Sequence, residues 1–127
     1  MKANTAKDTK PELLLRAALQ EAGLTGYKLN WNGAPGRPDV AFPRKKLAIF
    51  VHGCFWHRCP HCHYPLPKSN REFWRLKFRR NKERDKRKRS ELGKSGWKVL
   101  ELWECEIKKD SKACVRMIRK HLRGVKT

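Results

Sequence analysis

No stretch of this sequence approaches the ~20 consecutive apolar residues that a membrane-spanning helix needs. The opening MKANTAKDTK also lacks the apolar core of a secretion signal. Both absences lead us to expect a cytoplasmic protein with no membrane partner. There are no internal repeats and no long linker, and 127 residues suffice for one hydrophobic core but not two. A single domain over 1–127 is therefore expected, with residues 1–8 as a short, flexible start. Acidic residues are scarce: 12 Asp and Glu stand against 32 Lys and Arg, a formal net charge of +20. A neutral ligand needs no such field, whereas a polyanion does, so the expected partner is nucleic acid. The cysteines number only five, too few and in the wrong compartment for a disulfide framework.

What is present is concentrated. Arg75 to Arg89, RLKFRRNKERDKRKR, holds ten basic and two acidic residues. Val51 to His63, VHGCFWHRCPHCH, holds Cys54, Cys59 and Cys62 with His52, His57, His61 and His63 among them, a pattern that suggests a metal. Thr9-Lys10-Pro11-Glu12 reads as a capping box opening a helix that Gly23 ends. YKLNW (27–31), DVAF (39–42), LAIFVH (47–52) and WKVLELW (97–103) read as strands. Residues 53–69 read as an irregular loop, and 70–95 as a basic helix with a break near Asn81. Ser111 caps a last helix with Cys114, Ile118 and Leu122 on one face. The order α-β-β-β-loop-α-β-α implies a mixed sheet flanked by helices.

The link Pro43 to Lys46 makes a hairpin of the second and third strands. If Phe42 pairs with Leu47, counting outward sets Asp39 opposite Phe50, and alternation puts Phe50 and His52 on the face of Asp39. Nucleases with a Pro-Asp…(Asp/Glu)-x-Lys signature place an Asp on one strand and an acid-x-base pair on the next. Here that register reads Phe50-Val51-His52, with Phe in the acid slot and His in the Lys slot. Asp39 alone is accounted for as a turn carboxylate and His52 alone as a strand-end histidine. Together, beside a metal-like loop, they form a candidate site.

PGRPD (35–39), IFVHGCFWH (49–57), PKSNREFW (67–74), NKERD (81–85) and GWKVLELWEC (96–105) together resemble the very short patch repair endonucleases. The resemblance runs from Thr9 to about Ile107. It implies a restriction-endonuclease-like α/β fold with a zinc-stabilised loop, and magnesium-dependent nicking of double-stranded DNA beside a T:G mismatch. It maps the magnesium carboxylate onto Asp39, and a ligating backbone carbonyl onto Val51, where some members carry Thr. The histidine that activates water maps onto His52, a residue type whose ordinary titration lies near neutral pH. Asp85 maps onto an acid that orients that histidine, His57 onto a second histidine near the scissile phosphate, and Glu12 onto an acid reaching the metal-bound water. Asp85 among basic residues also fits a surface ion pair, and Glu12 also fits the capping box.

The resemblance further makes Cys105 the fourth zinc ligand beside Cys54, Cys59 and Cys62, with His61 the runner-up; Cys114 is expected in the core. Phe55, Trp56 and an aromatic matching Trp74 are implied to wedge into the duplex where a mispair has weakened the stack. A core placement is the ordinary alternative for such aromatics. The family's additional N-terminal segment is short here, with about eight residues before the first helix. The resemblance implies a monomer, with mismatch-repair proteins as candidate partners. Two alternatives stay open: a nuclease of this fold without mismatch preference, and a zinc-dependent DNA-binding module without chemistry.

Overall fold

The computed structural model describes residues 10–34, 36–54, 59, 62 and 65–124. Helix α1 (Lys10–Glu21) buries Pro11, Glu12, Leu15, Ala18 and Leu19, positions that line one face of a 3.6-residue helix. Gly23 ends it as expected. At φ +74° it takes the left-handed cap, and the Leu24 N–H returns to the Leu19 carbonyl at 3.1 Å in a Schellman turn.

Four strands form one sheet: β1 (Lys28–Leu29), β2 (Val40–Phe42), β3 (Leu47–His52) and β4 (Lys98–Trp103). Their order is β1-β2-β3-β4, with antiparallel pairing up to β3 and parallel pairing from β3 to β4. The expected 27–31 strand is cut to two residues because Asn30 turns left-handed at φ +45° while its N–H donates to the Asp39 carbonyl at 2.9 Å. The hairpin register is the one counted from the sequence: Phe42 pairs with Leu47 and Val40 with Ile49. A short 3-10 turn, Pro43–Lys45, and left-handed Lys46 make the link.

Alternation along β3 and β4 divides the core between the two faces of the sheet. Leu47, Ile49, Leu100 and Leu102 pack with Leu15, Leu19, Ile107 and Ile118 on one face. On the other, Ala48 and Phe50 pack with Leu92 of helix α2 (Arg71–Lys94) and with Trp31, Trp97 and Val99. The first face is therefore covered by α1, α3 (Glu104–Lys109) and α4 (Ser111–Gly124), and the second by α2.

Three expectations change. Helix α2 runs unbroken for 24 residues through Asn81, which is buried and accepts a hydrogen bond from Arg84 one turn on at 2.6 Å. Its side chain is satisfied within the helix instead of competing for the backbone. Helix α3 was not foreseen; Glu106 Oε1 accepts the Trp103 N–H at 3.0 Å and so caps it. The cap of α4 is Asp110, not Ser111: its Oδ1 accepts the Ala113 N–H at 3.1 Å. Thr9 lies outside the described residues. No described helix is long and apolar enough to cross a membrane.

Candidate active site and cysteine cluster

The open end of the β2–β3 hairpin gathers acidic and imidazole groups from four elements. Asp39 stands just before β2, behind the buried Pro38, and its Oδ2 accepts the Val51 N–H at 2.7 Å. Glu12, only 5% exposed, comes from the first turn of α1 into hydrogen-bonding reach of the Asp39 carboxyl, and Arg16 lies 3.4 Å from its Oε1. The side chain that sequence reasoning could also explain as a helix cap thus faces a second acid. Burial raises the Asp39 pKa, and the Val51 N–H, His52 and Lys88 pull it partly back. Two carboxyl groups held together out of water favour a shared proton or a bound cation between them.

His52 ends β3 and is 6% exposed. Its ring lies parallel to Phe50, at 6.3 Å between centroids, and 5.0 Å from Trp103. The residue that sequence reasoning missed is Glu101. It pairs in register with Phe50 across the parallel ladder, so it projects on the same face as His52. Glu101 Oε1 lies 3.4 Å from His52 Nε2, and Oε2 accepts from Arg89 Nη1 at 2.7 Å. The contacts with His52 and with Arg89 hold the Glu101 pKa down at about 2, against the opposing effect of burial. The signal was available: Val99, Glu101 and Trp103 alternate on one face of WKVLELW, and a carboxylate beneath a helix needs a partner. Its apolar neighbours Leu100 and Leu102 concealed it.

Asp85 belongs to the same place. Asp85, Lys88 and Arg89 occupy positions i, i+3 and i+4 of α2 and line one small cleft with Phe50, His52 and Glu101. Lys88 Nζ sits 5.8 Å above the Phe50 ring, in the acid slot of the nuclease register. Glu12, Asp39, Val51, His52 and Asp85 are thus brought to one end of the sheet. His57, Phe55 and Trp56 lie outside the described residues. Trp74, half-buried in the second turn of α2, stacks on Phe78 at 5.5 Å and meets the 58%-exposed Phe73 edge-on at 5.3 Å.

Two residues beyond His52 the chemistry changes from oxygen to sulfur. The Sγ atoms of Cys54, Cys59, Cys62 and Cys105 all lie within 4.8 Å of one another, and those of Cys59 and Cys105 are 3.7 Å apart. Tetrahedral thiolates at ~2.3 Å from zinc would stand about 3.8 Å apart, so the donor set fits that ion. Backbone bonds brace the cluster: Cys105 N–H donates to Cys54 Sγ at 3.3 Å, and Cys54 N–H to Glu104 Oε1 at 3.1 Å. Burial pushes the Cys54 thiol well above the usual range and raises that of Cys105. Cys114 takes no part; it is buried among the core residues of α4, and its pKa rises to about 11. His61 lies outside the described residues.

Comparison with known proteins decides the family. A family model described as DNA mismatch endonuclease Vsr matches residues 1–63. The type II nicking enzyme V.NaeI of Lentzea aerocolonigenes is 40% identical over 127 residues, covering 96% of this chain and 75% of that protein. The type II nicking enzyme V.XorIIP of Xanthomonas oryzae pv. oryzae is 40% identical over 102 residues, covering 80% and 74%. The DNA mismatch endonuclease Vsr of Escherichia coli is 39% identical over 109 residues, covering 85% and 69%. This chain belongs to the Vsr family of DNA endonucleases. Helix α2 carries many exposed Lys and Arg side chains, while Asp85, Lys88 and Arg89 line the cleft. The stretch matched by the family model includes Glu12, Asp39, Val51, His52 and three of the four clustered cysteines; Asp85, Glu101 and Cys105 lie beyond it.

Proposed function

We propose that this endonuclease nicks one strand of double-stranded DNA beside a T:G mismatch, with magnesium at Asp39 and zinc in the cysteine cluster. The observation that carries the reading is the meeting of Asp39, Glu12 and His52 at one end of the hairpin. A pair of carboxyls, one buried and one half-buried, suits a hard cation with oxygen ligands. Asp39 and the Val51 carbonyl would hold it, with Glu12 reaching its water. Bound there, magnesium would neutralise charge on the phosphate undergoing attack.

The protein's own groups do the rest. His52, walled by Phe50 and Trp103, takes the proton from the attacking water. Asp85 steadies it from α2, and His57 serves the scissile phosphate. Phe55, Trp56 and Trp74 wedge into the duplex, where a mispair lowers the unstacking cost of a few kcal/mol. Cys54, Cys59, Cys62 and Cys105 would hold zinc, which would order the 53–69 loop as a structural rather than a catalytic ion. We read residues 1–127 as one such domain of restriction-endonuclease-like fold, a cytoplasmic monomer acting on DNA, with mismatch-repair proteins as candidate partners.

Asp39→Ala assayed on a T:G duplex in magnesium is the test. Loss of nicking is expected, and undiminished nicking rejects the reading. A second reading, a nuclease of this fold without mismatch preference, is favoured by relatives whose names record nicking alone. Equal rates on T:G and T:A duplexes at one salt concentration would select it.

A further inference from the structure

Of the ten Lys and Arg between Arg75 and Arg89, nine are exposed and Lys88 alone is half-buried. It lies on the inward stripe of α2 with Asn81, Asp85 and Leu92, at i, i+4, i+7 and i+11, where an apolar side chain is the ordinary choice. Its stem runs against the backbone of Gly36 in PGRPD: a Cβ on that glycine would stand 3.0 Å from both Cβ and Cγ of Lys88. Its ammonium sits 5.8 Å from the centre of the Phe50 ring.

A charge drawn partly out of water ordinarily finds a carboxylate. Four stand at this end of the sheet, those of Glu12, Asp39, Asp85 and Glu101. Arg16 is paired with Glu12 and Arg89 with Glu101, yet the Lys88 ammonium is in no ion pair among the described residues. Its charge acts on Asp39 through space, favouring the ionised carboxylate. An aromatic face holds a cation by its charge and spares N–H donors for another partner.

We infer that Lys88 is a further catalytic residue, whose ammonium binds a non-bridging oxygen of the phosphate being cut and stabilises the charge that grows there. Phe50 fills the acid slot of the nuclease register and is counted opposite Asp39, so a cation above its ring stands where the strand itself supplies none. Attack on the phosphate raises the negative charge on its oxygens. A cation already seated between Gly36 and Phe50 meets that charge with little reorganisation. The nine exposed cations of the stretch have no such aim; Lys88 lines the cleft that His52 also lines.

The inference rests on the reading that DNA is cut at Asp39, and the experiment keeps the two apart. Lys88→Met keeps an unbranched stem against Gly36 and removes the charge; Lys88→Gln is measured beside it, so that one poorly folded variant does not decide the outcome. In single-turnover nicking of a T:G duplex both should lose roughly ten-fold or more in rate. Binding is measured separately without magnesium, on duplexes carrying either the ordinary scissile phosphate or a neutral methylphosphonate in its place. That replacement should cost wild type several-fold more in affinity than it costs either variant. Wild-type nicking in the variants, with Asp39→Ala inactive, overturns the inference alone. A methylphosphonate effect equal in wild type and variants also overturns it, whatever the rates. A wild-type rate in Asp39→Ala overturns the site reading beneath it.

Discussion

The two ends of the segment His52 to Cys54 belong to opposite kinds of site. Toward Asp39 the chain offers carboxylates, a backbone carbonyl and an imidazole, supplied by α1, β3, β4 and α2. Toward Cys105 it offers four sulfurs within 4.8 Å and a brace of backbone hydrogen bonds. Oxygen donors suit a cation that keeps waters and exchanges them; a full set of thiolates suits one that keeps none. Placing them two residues apart means that order in the sulfur cluster sets the exit of β3, where His52 is held. On the proposed assignment the sulfur side governs strength of folding and the oxygen side catalysis, and the two are joined where β3 ends.

The largest effect should come from Asp39→Ala, which removes the half-buried acid nearest the proposed magnesium. Nicking should fall by roughly a hundred-fold or more in single-turnover assays. Thermal stability should hold or rise, because the raised pKa of Asp39 shows that its charged form is disfavoured in the fold. Cys105→Ser should reverse the pattern. Zinc content measured by metal analysis should drop, and unfolding should become easier by several kcal/mol. Full zinc retention at unchanged affinity removes Cys105 from the ligand set.

A smaller effect is expected from Glu101→Gln on folding, and its pH dependence has a definite sign. The folded pKa of about 2 lies below the ordinary 4.5, so the stabilisation is complete above about pH 4.5. It is lost as pH falls toward 2. The variant should therefore be weaker than wild type by about 1–2 kcal/mol at pH 7 in denaturant unfolding, and nearly equal to it at pH 2. The smallest change belongs to Lys108→Ala on the sulfur side. Lys108 meets Glu104 at 2.8 Å in an exposed i, i+4 pair, and Glu104 keeps its bond from the Cys54 N–H without it. A loss of about 0.3–0.5 kcal/mol in melting experiments is expected, with zinc content unchanged.

The oxygen side was more legible in the sequence than the sulfur side, for physical reasons. Strand register follows from alternation once the turn at Pro43 to Lys46 is seen, so the facing of Asp39 and Phe50 could be counted. Cys105 could not be counted, because its approach to Cys54 depends on β4 lying beside β3 and on helix α3, whose cap at Glu106 is a local side-chain bond with a weak signature. The family resemblance supplied it instead. Glu12 had a local explanation in the capping box, and only the family resemblance, not spacing or periodicity, pointed it toward the metal site at Asp39. Glu101 was hidden by its apolar neighbours, although alternation alone assigns it to the face of His52. Asn30 shows the opposite failure: a β-prone run, YKLNW, is cut short by one left-handed residue.

The division of labour between the two sites is tested most directly by one titration. Protein carrying its measured zinc is freed of magnesium, and the nicking rate on a T:G duplex is followed as magnesium is returned. No nicking before magnesium, and full recovery with zinc content constant throughout, is the predicted result. Nicking at the full rate with zinc alone would contradict it, and would move the chemistry from Asp39 to the cysteines.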